Sequence, residues 1–161
     1  GWLPIFPGAR LLVDGQASLA RGAAKANRDA SALEIAPSVL TAVSDDADAV
    51  RALARAHIAF YVGGMGTFYR DLVARQGFEE EVRRIRDEWG KPGRARRAAA
   101  ALAVSDDMLD ALTLVGSRAH VLQKVDEYAT VGVTLPIMMF PHGSGRSVIA
   151  ETIEALRPDR A

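Results

Sequence analysis

The sequence predicts an α/β fold in which parallel strands are covered by helices. Three segments, Gly1–Phe6, Leu33–Val43 and Val131–Phe140, are rich in apolar and β-branched residues, as expected for strands buried on both faces. The segments between them place apolar residues at helical spacing. The resulting order is strand, helix, strand, several helices, strand, helix. This alternation is typical of a parallel sheet with helical crossovers.

The first strand and helix are separated by the turn residues Pro7 and Gly8. Apolar residues at helical spacing then predict a helix over Ala9–Ala26. The second predicted strand, Leu33–Val43, contains Pro37, which cannot donate a ladder hydrogen bond. A proline is tolerated only at the end of a strand or at a bulge, so we expect Pro37 to lie at such a position.

The central part of the chain predicts several short helices. Ser44, Asp45 and Asp46 provide capping residues for a helix over Ala47–Phe60. Glycines predict breaks at Gly63–Gly66, Gly77 and Gly90–Gly93. Ser105 and Ser117 are predicted helix caps, and the helix that begins after Ser117 is expected to run to about Thr130. A last helix is expected over Ser147–Leu156, stopped by Pro158.

Composition excludes several classes of function. The 161 residues carry 20 acidic and 20 basic side chains, so no net charge favours nucleic acid or an anionic membrane. Cysteine is absent, which excludes disulfides, thiolate metal sites and cysteine catalysis. No apolar run approaches the length of a membrane span, and no secretory signal is present. We therefore expect a soluble cytoplasmic domain.

Four stretches, in order, resemble one known family. "GWLPIF" is similar to the end of a strand in luciferase-like monooxygenases, and "EIAPSVLTAVSDD" to the next strand and its cap. "FYVGGMG" with "FYRDLVARQGFEEE" resembles a segment of the branch that uses the deazaflavin coenzyme F420. "LVGSRAHVLQKVDEYATVGVTLPIMMFP" resembles the closing helix and strand. The resemblance extends over essentially the whole chain.

The resemblance implies the C-terminal portion, about three β/α units, of a (β/α)8 TIM barrel. Residues 1–161 would form a single partial domain whose N-terminal barrel half is absent, which would explain a chain that starts with a core strand. The implied activity is hydride transfer between coenzyme F420 and an organic substrate, with FMN as the alternative cofactor. The "YVGGMG" and "GWLPI" segments and an arginine-rich, GC-type composition favour F420. The fragment alone is expected to be inactive.

In such a barrel the site lies at the C-terminal ends of the strands. These ends are Pro4–Gly8, Thr41–Asp46 and Phe140–Arg146. The candidate cofactor or substrate pocket therefore consists of Trp2, Pro4, Phe6, Gly8, Ser44, His142, Gly143, Ser144 and Arg146. Trp2 and Phe6 are candidate walls for a cofactor ring, with ordinary core packing as the alternative.

The sequence "PHGSGR" is the strongest polar candidate. His142 is a candidate proton carrier, and Ser144, Arg146 and backbone amides near a helix N-terminus are candidate anion ligands. The alternative is a polar turn before the last helix. No catalytic residue is identified with certainty from the sequence, and no His or carboxylate spacing indicates a metal site.

Other motifs favour structural roles. "YVGGMG" lacks the phosphate-loop pattern and is better explained as a helix break, although the resemblance places it near a substrate entrance. "FEEEVRRIRDEW" fits a solvated, ion-paired helix, and "KPGRARR" a flexible link with a possible anion patch. His57 and His120 lie at helix positions and need no role.

Two other functions stay open. The chain is alternatively an inactive half-barrel that self-associates through unpaired strand edges at Gly1–Phe6 and Val133–Phe140. A homo-oligomer is expected in that case. A βαβ module for a phosphorylated ligand is disfavoured, because "FPGARLL" has one glycine where a dinucleotide site has three.

Overall fold

The computed structural model describes residues 1–157, built around a sheet of three parallel strands. The strands are β1 (Ser38–Val43), β2 (Thr113–Gly116) and β3 (Ile137–Met139), in the order β2-β1-β3. Leu40 of β1 pairs with Thr113 of β2, and Ser38 pairs with Ile137 of β3. The predicted parallel α/β arrangement is confirmed.

The prediction of a strand over Gly1–Phe6 is wrong. This segment makes only two isolated parallel bridges, Trp2 with Ile35 and Ile5 with Ser38. The backbone of Phe6 then turns to a φ of 50°, so the chain leaves the sheet. The edge beside the second half of β1 is taken instead by β2, for which the sequence predicts no strand.

The other two strands are shorter than predicted. β1 starts at Ser38, so Pro37 precedes the strand, as expected for a residue without an amide hydrogen. The carbonyl of Pro37 still accepts a hydrogen bond from the backbone N–H of Ile137 at 2.8 Å. In Val131–Phe140 only Ile137–Met139 forms ladder pairs.

Eight α-helices surround the sheet in the described part of the chain. They are α1 (Ala9–Lys25), α2 (Ala47–Gly64), α3 (Phe68–Val73), α4 (Glu79–Trp89), α5 (Arg96–Leu102), α6 (Asp106–Leu112), α7 (Arg118–Thr130) and α8 (Arg146–Ala155). A 3₁₀ turn covers Ala30–Ala32 and a π turn covers Ala74–Phe78. The prediction that Pro158 stops the last helix lies outside the described residues.

Most predicted caps and breaks are present. The Ser105 hydroxyl accepts from the Met108 amide at 3.1 Å, and Gly77 has a φ of 101° between two helices. The break predicted at Gly63–Gly66 is present but comes late in that segment, because α2 ends at Gly64 and Gly66 has a φ of 81°. A side chain at Gly63 would lie 2.7 Å from the Trp89 ring, so glycine is required there by packing rather than by a turn.

The sheet separates two apolar layers. Leu40 and Ala42 of β1 belong to the cluster formed mainly with α2 to α6, and Val39 and Val43 to the cluster with α1, α7 and α8. Alternate residues of a strand point to opposite faces, which explains why Val39–Val43 is buried on both faces of the sheet. Within residues 1–157, no helix has both the length and the hydropathy needed to cross a membrane.

Candidate functional site

The loop after β1 is closed by its own hydrogen bonds. The backbone N–H of Ser44 donates to the carbonyl of Gly116 at 3.1 Å, and its hydroxyl accepts from the amide of Asp46 at 3.2 Å. The carboxylate of Asp46 accepts from the Ala49 amide and caps α2. Ser44 therefore lies at the C-terminal end of the sheet, as predicted, with its hydroxyl engaged locally.

The loop after β3 is a glycine-containing turn that leads into α8. The carbonyl of Pro141 accepts from both the backbone N–H and the hydroxyl of Ser144, at 3.1 and 2.8 Å. Gly143 has a φ of 88°, where an L side chain would be strained, and a Cβ there would lie 3.3 Å from Leu53. Gly145, the N-cap of α8, provides no side-chain hydrogen bond. The amides of the first turn are thus available to an anion.

His142 of this loop lies against a second histidine, His57, which is buried in the middle of α2. The two ring centroids are 4.1 Å apart, and the backbone N–H of His142 donates to Nδ1 of His57 at 3.2 Å. The His57 ring also stacks on the Tyr61 ring, with centroids 4.9 Å apart. Because Nδ1 accepts a hydrogen bond, neutral His57 carries its proton on Nε2.

The surroundings of His57 keep it uncharged. Its side chain is 2% exposed, and Nε2 has no hydrogen-bond partner within the described residues. Burial, with a smaller contribution from the charge of His142, lowers the pKa of His57 from 6.5 to about 4. The site therefore contains a neutral imidazole with an unused donor.

A cleft adjoins these two histidines. We call it the His57 cleft, and its volume is about 380 Å³. Phe60 of α2, Trp89 at the end of α4 and Arg97 of α5 contribute to its walls, with His57 and His142 beside them. The sequence predicts no role for His57. The signal that could have found it is the spacing of His57, Phe60 and Tyr61, which places three rings on one helix face.

Trp2 and Pro4 lie apart from this cleft. The Trp2 ring packs on Gly15 of α1, where an added Cβ would lie 2.1 Å from the indole. Pro4 is buried, and its carbonyl accepts from the backbone N–H of Ser38 at 2.8 Å. Both residues anchor the N-terminal segment to its neighbours.

Phe6 and Gly8 also have packing roles in the structure. Phe6 is 1% exposed and meets Tyr61 and Tyr69 edge to face, with centroids 5.6 and 6.2 Å apart. Gly8 lies under Gln76, where a Cβ would be 2.4 Å from the amide oxygen. In the structure Phe6 is therefore a core residue, which is the alternative to the predicted wall of a cofactor ring.

The two charged motifs, "FEEEVRRIRDEW" and "KPGRARR", lie on the surface, as expected for an ion-paired helix and a solvated link. In α4, Arg83 pairs with Glu80 at 2.6 Å and with Asp87 at 3.0 Å on an exposed surface. The segment Lys91–Arg97 is exposed, and the Arg97 guanidinium lies 5.7 Å from the centroid of the Trp89 ring. Among residues 1–157 no three His, Asp or Glu side chains form a group that would hold a metal ion.

Solved structures contain the same architecture. The coenzyme F420 dependent tetrahydromethanopterin reductase from Methanopyrus kandleri aligns with 92% of this chain at a TM-score of 0.70 and 18% identity. At that identity the likeness establishes the fold alone. Only 41% of the reductase is covered, so the expected correspondence to part of a TIM barrel is confirmed.

Sequence comparison identifies the family. The chain is 32% identical over 155 residues to "Putative coenzyme F420-dependent oxidoreductase Rv3520c" of Mycobacterium tuberculosis. The aligned region covers 92% of this chain and 43% of that protein. The chain thus spans less than half the length of this relative. The pattern that defines the luciferase-like monooxygenases matches residues 1–135. The chain belongs to the luciferase-like monooxygenase family.

Proposed function

We propose that this chain is part of a coenzyme F420-dependent oxidoreductase that transfers hydride between the deazaflavin and an organic substrate. The observation that carries the proposal is the 32% identity, over 92% of the chain, to a relative named for F420 dependence. The cofactor, when bound, supplies the hydride chemistry. The residues of this chain would bind and orient it.

The loop after β3 fits the phosphate of such a cofactor. Gly143 and Gly145 leave the backbone without side chains, and Gly145 provides no side-chain cap for α8. The hydroxyl of Ser144 and the exposed guanidinium of Arg146 add polar groups at the same turn. Amides at a helix start together with a guanidinium are a donor set suited to phosphate.

His142 is the proposed proton carrier toward the substrate. Its side chain is exposed, whereas its backbone N–H is held by Nδ1 of His57 at 3.2 Å. The backbone contact fixes the position of the loop while the imidazole remains accessible. An imidazole is suited to this role because it exchanges protons near neutral pH.

Cofactor binding is testable by fluorescence titration of the 161-residue chain with coenzyme F420 and, separately, with FMN. Since the chain spans only 43% of its F420-dependent relative, we expect weak but saturable binding of F420, and binding of FMN that is weaker by at least about tenfold. Arg146→Gln should weaken F420 binding about tenfold, because a charged hydrogen bond to phosphate is lost. The control is Arg157→Gln at the other end of α8, where Arg157 pairs with Glu154 at 2.9 Å.

Any of three results would overturn part of this assignment. Absence of saturable F420 binding would show that this chain does not hold the cofactor. Equal binding by the wild type and Arg146→Gln would remove the loop after β3 from the phosphate site. Tighter binding of FMN than of F420 would show that FMN, and not F420, is the cofactor.

The second candidate, self-association of an inactive half-barrel, is favoured by the exposed edge at β3. Leu135, Ile137 and Met138 are 49%, 37% and 40% exposed there, although all three are large and apolar. Light scattering should then show a dimer that Met138→Lys dissociates. The control is Phe68→Lys, since Phe68 is 67% exposed on α3, away from the edge. A monomeric wild type would exclude this candidate.

A further inference from the structure

The His57 cleft has the size of a pocket for a small ligand. Its volume of about 380 Å³ lies near the lower end of the range for small-molecule sites. The small side chains of Ala98 and Ala101 in α5 leave the space open opposite Phe60 and Trp89. A molecule of one or two fused rings matches this space.

The walls of the cleft favour a planar aromatic molecule. The rings of Phe60 and Trp89 are 6.0 Å apart at 64°, and those of Phe60 and His142 are 6.0 Å apart at 65°. Aromatic rings prefer such edge-to-face and offset arrangements. A flat ring placed in the cleft would extend a cluster that already has this geometry.

The charge of the cleft favours an acid. Arg97 contributes a guanidinium, and none of the described residues that line the cleft is acidic. The guanidinium lies over the Trp89 ring, 5.7 Å from its centroid, beside the aromatic wall. Carboxylates and phosphates are the preferred partners of a guanidinium.

His57 provides a second contact point. Its Nδ1 is occupied by the backbone N–H of His142, so the proton of the neutral ring is on Nε2. This buried donor has no acceptor among the described residues. Buried donors without an acceptor are uncommon in native proteins. An oxygen atom of a ligand would supply the acceptor, after displacing the exposed ring of His142.

We propose that the His57 cleft binds a small planar aromatic acid. The ring lies against Phe60 and Trp89, the acidic group pairs with Arg97, and an oxygen accepts from Nε2 of His57. The proposal concerns binding alone and holds whether or not the chain takes the cofactor proposed above. It goes beyond the F420 assignment because it places a second, substrate-sized ligand in the same domain.

Calorimetric titration of the 161-residue chain with 2-naphthoate tests the proposal, with the neutral 2-naphthamide as the comparison. We expect saturable binding of naphthoate and about tenfold weaker binding of the amide, since the neutral amide forms no ion pair with a guanidinium. Arg97→Gln should weaken naphthoate binding about tenfold. Its control, Arg94→Gln, removes a neighbouring exposed arginine that does not line the cleft.

A second pair of variants tests the position of the ligand without disturbing the core. Ala98→Leu places a larger side chain in the cleft from an exposed position of α5, and should abolish binding. Ala52→Leu adds the same volume at an exposed position of α2 outside the cleft, and should bind as the wild type does. Circular dichroism of each variant establishes that it is folded.

Three results would overturn the proposal. These are no saturable binding of naphthoate at millimolar concentration, equal binding of acid and amide, and unchanged binding in Ala98→Leu. Repeating the titration with saturating F420 separates the two sites. Naphthoate binding that persists supports a separate ligand site, and displacement of naphthoate by F420 would assign the cleft to the cofactor. Failure to bind F420 at all would leave the naphthoate result intact.

Discussion

His57 should make this protein less stable in mild acid. The imidazole is 2% exposed, and burial together with the charge of His142 lowers its pKa from 6.5 to about 4. Between these two values the unfolded chain binds a proton that the folded chain does not. The contribution of His57 to the free energy of unfolding is therefore fully present above pH 6.5 and is lost as the pH drops from 6.5 toward 4. Below pH 4 this group causes no further loss.

The size of the effect follows from the two pKa values. A lowering from 6.5 to about 4 corresponds to a total loss of about 3 kcal/mol, reached only below the folded pKa, where His57 is protonated in both states. At about pH 5 the loss is about 2 kcal/mol, because the folded form is still mostly neutral there. This is a large part of the free energy of unfolding of an ordinary domain.

Urea denaturation of the wild type and of His57→Asn, at about pH 5 and about pH 8, isolates this contribution. The amide oxygen of asparagine can accept from the backbone N–H of His142 in place of Nδ1 but takes up no proton. The difference in stability between the two pH values should be about 2 kcal/mol smaller in His57→Asn than in the wild type. Carboxylates contribute equally to both proteins. If the change in unfolding free energy between the two pH values is the same in the wild type and in His57→Asn, then His57 is not buried in its neutral form.

Two further predictions concern stability and are measured by denaturant unfolding. Gly15→Ala should destabilise by about 1–3 kcal/mol, because its Cβ would lie 2.1 Å from the Trp2 ring. Gly22→Ala, in the same helix with no atom within 4 Å, should stabilise by up to about 1 kcal/mol, and equal effects would contradict this packing. Thr152→Val should cost about 1–3 kcal/mol, since the amide of Val43 donates to the Thr152 hydroxyl at 2.9 Å in the core. An unchanged midpoint would show that this hydrogen bond is not formed.

Local signals along the chain were sufficient for most helices. The prediction of Ala9–Ala26 differs by one residue from α1, and the serine caps at Ser105 and Ser117 begin the expected helices. Capping and helical periodicity depend on residues within one or two turns of each other, so they are present in the sequence itself. The position of Pro37 outside the strand follows from the same kind of local chemistry.

Strand boundaries depended on contacts between distant segments. Gly1–Phe6 is apolar enough for a strand, yet Thr113–Gly116 takes the position beside Leu40–Val43. The glycines from Gly63 indicate a helix end, yet Gly63 and Gly64 stay within α2, packed against Trp89, and the helix ends only after Gly64. Neither outcome is visible locally, because each is decided by a residue far along the chain.

The same division applies to the site. The sequence alone determined the family resemblance, the α/β class and the polar turn containing His142, since these depend on residue order and local pattern. Only the tertiary structure placed His142 on His57, 85 positions earlier, and brought Phe60, Trp89 and Arg97 around them. A buried imidazole acquires its unused donor and its lowered pKa from packing, which no sequence window contains.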